Sequence, residues 1–170
     1  MDISDNYPVS LHSTAMGLGS AKGIPASYLN QLAMLTELVS PMLLSDHAAF
    51  AWGDVAGQPV HGGDLLPLVY NDANLKVFAK HVDQIQQRTG HQLLIENLSA
   101  YLRLPGSTMT EQEFLVALTE ATCCGLLIDL NNILINARND KQPHLLESAQ
   151  RYLDAIPAGS VGEIHLAGYS

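Results

Sequence analysis

The chain has 170 residues, 47% of them hydrophobic and 15% charged, which is enough apolar material for a folded core and the wrong balance for a disordered segment. A formal net charge of −9 with only eight Lys and Arg excludes a broad nucleic-acid or anionic-membrane surface, since both need clustered cations. No run reaches the ~18 consecutive apolar residues of a spanning helix, the first residues lack the basic and apolar regions of a signal peptide, and the adjacent Cys123 and Cys124 form no disulfide framework, so a reducing, cytoplasmic setting is expected.

In chain order, a first strand is expected from Pro8 to His12, followed by a turn-rich loop over residues 15–20. Gly17-Leu18-Gly19 is not a dinucleotide loop, because the third glycine it needs is replaced by Lys22. Pro25 opens a helix over residues 27–38 with Leu29, Leu32, Leu35 and Leu38 as its apolar positions. A second strand over 42–47 leads into a Gly- and Pro-rich stretch, read as a structureless loop of about twenty residues that covers the site. The periodicity of Leu75, Phe78, Ala79, Val82 and Ile85 predicts a helix over 72–89. A strand at 92–96 follows, and Thr110 with Glu113 reads as a capping box for a helix at 112–122. Then come a strand at 125–129, a segment through Asn139 left unassigned, a helix at 143–156 and a last strand ending at His165.

Five short apolar runs in this order end in a metal-binding or acid/base side chain: His12, His47, Glu96, Asp129 and His165, at intervals of 35, 49, 33 and 36 residues. Those intervals approach the ~30 residues of one βα unit in an eightfold barrel. An open doubly wound sheet would concentrate functional groups where the strand order reverses, whereas here each strand ends in one, which favours a barrel. The expected fold is therefore α/β, a partial (β/α)8 TIM barrel of about five parallel strands with intervening helices, with residues 1–170 as one partial domain. The short lead before Pro8 and the stop just past the last strand add the expectation of a fragment whose terminal strands have free edges.

Alternation places His12, His47, Glu96, Asp129, Asn131 and His165 on inward faces at the strand ends. Imidazoles and carboxylates without thiolate suit Fe, Mn, Zn or Co, and a carboxylate can bridge two ions. Glu96 and Asp129 are also the candidate catalytic groups. Asn97 and Asn132, directly after or near these residues, are expected to order them by hydrogen bonds, with capping of the next helix as the alternative. His61, His81, His91 and His144 are expected to be solvated or capping side chains, and the two cysteines to be small packing residues.

Pro-Val-Ser-Leu-His with Gly-Leu-Gly-Ser, Leu-Ser-Asp-His, Asp64-Leu65-Leu66-Pro67-Leu68, Leu-Ile-Glu-Asn with Tyr101, Glu113-Phe114, Leu-Leu-Ile-Asp-Leu-Asn-Asn and Glu-Ile-His-Leu-Ala-Gly together resemble the multinuclear non-heme iron-dependent oxidase family, over nearly the whole chain. The resemblance implies a TIM barrel holding two or three iron ions, with O2 as oxidant. It also implies oxidative modification of cysteine in a ribosomally made precursor peptide, often with a separate peptide-recognition protein. It would make His12, His47, Glu96, Asp129, Asn131 and His165 iron ligands, with Glu96 as a bridge. Further family ligands precede and follow this set, and Tyr169 stands where the family has His, so impaired activity is expected. The alternatives are a non-catalytic fragment that binds a partner and a divalent-metal sugar isomerase or endonuclease-like barrel.

Overall fold

The computed structural model describes residues 4–168, so Tyr169 lies outside the described residues. Strands β1 (Ser10–His12), β2 (Leu43–His47), β5 (Leu93–Glu96), β6 (Gly125–Asp129) and β7 (Val161–His165) form one parallel sheet in the order β1-β2-β5-β6-β7. Helices α1 (Ala26–Val39), α2 (Asp72–Thr89), α3 (Glu111–Thr122), α4 (Leu130–Asn139) and α5 (Leu145–Asp154) alternate with them, and a short 3-10 turn, Ala158–Ser160, leads into β7. The sheet curls into half a barrel. Ser10 at one edge donates to the Glu163 carboxylate at the other over 3.2 Å, although 153 residues separate them. This is the expected α/β architecture.

The outward row of the sheet, Leu44, Leu93, Ile95, Leu126 and Ile128, packs beneath the helices with Phe78, Val82, Ile85, Phe114, Leu115 and Leu118. Burying such side chains stabilises the layer by roughly 1.5–3 kcal/mol each. Inside the curl, Leu94 fills the space below Glu96. A Cβ on Gly125 or Gly162 would stand 2.6 or 2.8 Å from Leu94 Cδ2, so the two glycines leave the room that this side chain occupies in its present rotamer.

Four expectations are corrected, the last of them at Cys123, where α3 ends. Leu35 and Leu38 of α1 are 43% and 70% exposed, whereas Leu29, Leu32, Ala33 and Thr36 are buried. A strict three-residue repeat drifts about 60° per step around a helix of 3.6 residues per turn, so its later members leave the core face. The supposed structureless loop is a hairpin, β3 (Phe50–Val55) with β4 (Gln58–Leu66). Its tip, Ala56 and Gly57, has φ of 52° and 81°, the paired left-handed conformation that matches strand twist. His81 is buried rather than solvated, its Nδ1 2.7 Å from the Leu18 carbonyl, which ties α2 to the loop after β1.

The capping box at Thr110 and Glu113 is present and α3 starts beside it at Glu111. The unassigned segment is α4, begun by the Asp129 side chain, which accepts from the Asn132 N–H at 2.8 Å. Cys124 is buried, with its thiol pushed up to about 11 by desolvation, but Cys123 is exposed and closes α3 at φ 56° instead of packing.

Candidate metal centre

The parallel register sets His12 beside Ser45, two residues before His47, and sets His47 beside Glu96. It sets Glu96 beside Leu127, two residues before the Asp129–His165 pair. The groups are thus staggered by two residues from β1 to β2 and again from β5 to β6, and the curl of the sheet gathers them at its C-terminal end. His12 and His47 have ring centroids 4.5 Å apart, and His12 and His165 5.3 Å. Nδ1 of His12 is 2.8 Å from Ser45 Oγ. Nδ1 of His47 is 3.2 Å from the Ser13 carbonyl, which only accepts, so Nδ1 carries the proton and the neutral ring keeps its lone pair on Nε2.

Both Nε2 atoms face Glu96. Its Oε2 is 3.1 Å from His12 Nε2 and 3.2 Å from His47 Nε2, and these nitrogens are 3.3 Å apart. Glu96 Oε1 is 3.6 Å from His165 Nδ1. The Glu96 side chain is 3% exposed, and its Oε2 is buried without a partner in hydrogen-bond geometry. Burial alone would raise its pKa, but the His12, His47 and His165 imidazoles outweigh it and hold the carboxyl below its ordinary value. For His47 burial alone would lower the pKa, and the Asp46 and Glu96 carboxylates reverse the sign.

Two donor groups result: His12, His47 and Glu96, and Glu96, Asp129 and His165, the ligand atoms within each lying within 4.8 Å of one another. Glu96 belongs to both. An orphaned carboxylate oxygen facing two imidazole nitrogens fits a divalent cation, and two groups sharing a carboxylate fit a pair of them. Asp129 uses Oδ1 as a helix cap, which leaves Oδ2 for a ligand.

The remaining expected residues divide. Asn97 exchanges hydrogen bonds with the Asp129 backbone, donating to its carbonyl at 3.0 Å and accepting from its N–H at 2.8 Å, while Asn132 donates to the Asn97 carbonyl at 2.9 Å. They align the ends of β5 and β6 through the backbone. Asn131 accepts from the Ala167 N–H at 3.2 Å, two residues past His165, and its amide is turned to that contact. His61 stacks edge-on against Trp52, and the His91 ring is turned back onto the Thr89 carbonyl. His144 precedes α5 without a side-chain cap bond.

Ser45 and Glu163 stand where alternation with His47 and His165 puts them, on the inward face. Other contributors carry no mark in the sequence. The Ser13 carbonyl has no side-chain signature. At the rim, Trp52 of the hairpin donates to the Ala15 carbonyl at 2.9 Å, and Ser20 Oγ accepts from the N–H groups of Ala51 and Trp52. Gly17, at φ 60°, has no room for a Cβ because Ala51 N and Trp52 Cδ1 would stand 2.9 Å away. The hairpin base is thus clamped beside the loop that follows His12.

Compared with known proteins, residues 1–170 match the family model described as RiPP precursor modification enzyme MbnB/TglH/ChrH. A UPF0276 protein of Rhizobium meliloti strain 1021 is 39% identical over 168 residues, 99% of this chain and 52% of that protein. One from Acaryochloris marina is 41% identical over 167 residues, 98% of this chain and 57% of its own length. The chain spans about half the length of these relatives. Among solved structures, apo 3-keto-D-glucoside 4-epimerase from E. coli superposes with a TM-score of 0.52 at 15% identity, covering 95% of this chain and 59% of that one, a likeness of fold.

Proposed function

The chain belongs to the MbnB/TglH/ChrH family of RiPP precursor modification enzymes, and from that premise we propose that its inward cluster holds iron and serves the oxidative modification of cysteine in a ribosomally made precursor peptide. The observation that carries this reading is the buried, unpartnered Glu96 Oε2 facing His12 Nε2 and His47 Nε2, with His165 beside the second oxygen. His12, His47, Glu96, Asp129 and His165 would hold the metal, Glu96 as the bridging ligand, and Asn131 would join them by turning its amide from Ala167. Bound iron would supply redox chemistry with O2 as the oxidant.

The chain's own residues do the rest. Ser45 and the Ser13 carbonyl orient the two imidazoles, Asn97 and Asn132 align the strand ends, and Leu94 closes the interior below the ligands. Glu96 and Asp129 would be the carboxylates that serve the reaction, as groups on the strand ends that belong to the donor set. A peptide-recognition protein is the expected partner, delivering the precursor to the open end. Among the described residues no helix is long and apolar enough to cross a membrane.

The test is mass spectrometry of a Cys-containing peptide encoded beside the gene, incubated with Fe(II)-loaded protein under O2. A mass change at cysteine is expected. Stoichiometric iron with an unchanged peptide would overturn the oxidase reading, and isomerisation of a sugar supported by Mn(II) without O2 would replace it.

A further inference from the structure

Asp46 is the one carboxylate in a row of the sheet that is otherwise apolar. Alternation along β2 sends Ser45 and His47 inward and Leu44 and Asp46 toward the helices, and the register sets Asp46 beside Ile95 just as it sets Leu44 beside Leu93. The residue is 1% exposed. Its Oδ2 is buried with no hydrogen-bond partner, and no Lys or Arg pairs with it among the described residues. Burying a carboxylate this way costs stability, and an apolar side chain of similar volume would pack there at lower cost.

Among the described residues its polar partner is the next one in the chain. Asp46 Oδ1 accepts from the His47 backbone N–H at 2.6 Å and lies 3.8 Å from His47 Nδ1. That nitrogen is the one donating to the Ser13 carbonyl, so the carboxylate and the carbonyl both favour a proton on Nδ1 and leave Nε2 to face Glu96. We propose that Asp46 is a positioning residue, fixing the tautomer and orientation of His47 from the far side of β2 so that Nε2 is presented to a metal ion. A carboxylate behind a ligating imidazole also makes the ligand a stronger donor. The proposal rests on His47 being a metal ligand.

The two roles open to Asp46 predict opposite stability effects. A structural carboxylate would lower the melting temperature when replaced, whereas a positioning carboxylate held at a cost would leave it unchanged or raise it. The experiment titrates Co(II) into the whole chain and into its Asp46→Asn and Asp46→Leu variants by chelator competition. It also records the Co(II) absorption at saturation and the melting temperature of the metal-free proteins. Expected are metal-free melting temperatures equal to or above the parent's, Co(II) affinity about 10–100-fold weaker, and a shifted absorption band. Asp46→Asn, which keeps an oxygen for the His47 N–H, should lose less than Asp46→Leu.

Unchanged affinity and spectrum in both variants would overturn the proposal. So would weaker binding with an unshifted spectrum and a lowered melting temperature, or failure of both variants to fold, since each marks a structural residue. If the parent binds no Co(II), or His47→Ala binds as the parent does, the metal reading fails and this inference with it. Parent binding with unaltered Asp46 variants removes this inference alone.

Discussion

Glu96 and Glu111 are two sheltered glutamates that the same stretch of chain delivers to different surroundings. Glu96 ends β5 among His12, His47 and His165, and their imidazoles hold its carboxyl below the ordinary value although burial pulls the other way. Glu111 begins α3 and accepts from Tyr70 Oη at 2.8 Å and Tyr152 Oη at 3.0 Å. There burial dominates, pushing the carboxyl up despite those hydrogen bonds, and the two phenols are pushed up in turn by burial and by the Glu111 charge. The nearest guanidinium, Arg103, is bound to Asp140. Neutral donors satisfy a carboxylate's lone pairs without repaying its desolvation, whereas groups that can carry charge do so. Glu96 is set to receive a cation, and Glu111 is set to brace α3 against α5 and the segment that leads into α2.

The largest effect expected from this contrast is on metal binding. Glu96→Gln should weaken Co(II) or Fe(II) binding at least about 100-fold, since it removes the ligand shared by both groups. Glu111→Gln should leave it within about twofold. Chelator competition measures both, and equal losses would erase the distinction between the two glutamates.

Next in size is the pH dependence of the metal-free fold, measured by urea unfolding between pH 4 and 8. A carboxyl held below its ordinary 4.5 contributes stability that is present above that value and lost as pH falls through the lower folded value, which is the case for Glu96. For Glu111, raised above 4.5, the contribution is present below 4.5 and lost as pH rises through the folded value. Glu111→Gln should therefore gain on the parent as pH rises, and Glu96→Gln should gain as pH falls. His47, raised above 6.5, adds stability that is present below 6.5 and lost as pH rises through its folded value. Gains of the same sign would contradict the assigned surroundings.

The smallest effect belongs to the brace. Tyr152→Phe leaves Glu111 Oε2 without its phenol donor and should cost about 1 kcal/mol of unfolding free energy with no change in Co(II) affinity. A change in affinity would show that the two regions communicate.

Much of this molecule was legible along the chain. Short apolar runs bounded by polar residues marked the strands, and alternation marked which of His12, His47, Glu96, Asp129 and His165 face inward. Thr110 and Glu113 announced a helix start because capping is a local exchange of two hydrogen bonds. The failures differ in cause. In α1 the three-residue repeat from Leu29 to Leu38 drifts off the core face, so Leu35 and Leu38 are exposed. In the hairpin, the left-handed pair Ala56-Gly57 lacks the usual Asn-Gly signature, so a regular ribbon looked like loop. At His81, burial depends on what a remote segment lays over the side chain, and a single polar residue carries no mark of that.

By itself the sequence determined the order of the five parallel strands and which side chains at their ends face inward, because both follow from short apolar runs and a period of two residues set by backbone geometry. Only the tertiary structure decided that Glu96 is common to two donor groups, that Ser10 meets Glu163, and that Asp46 stands behind His47. Those relations depend on how tightly the sheet curls and on which residues its register aligns, and neither quantity is local to any segment of the chain.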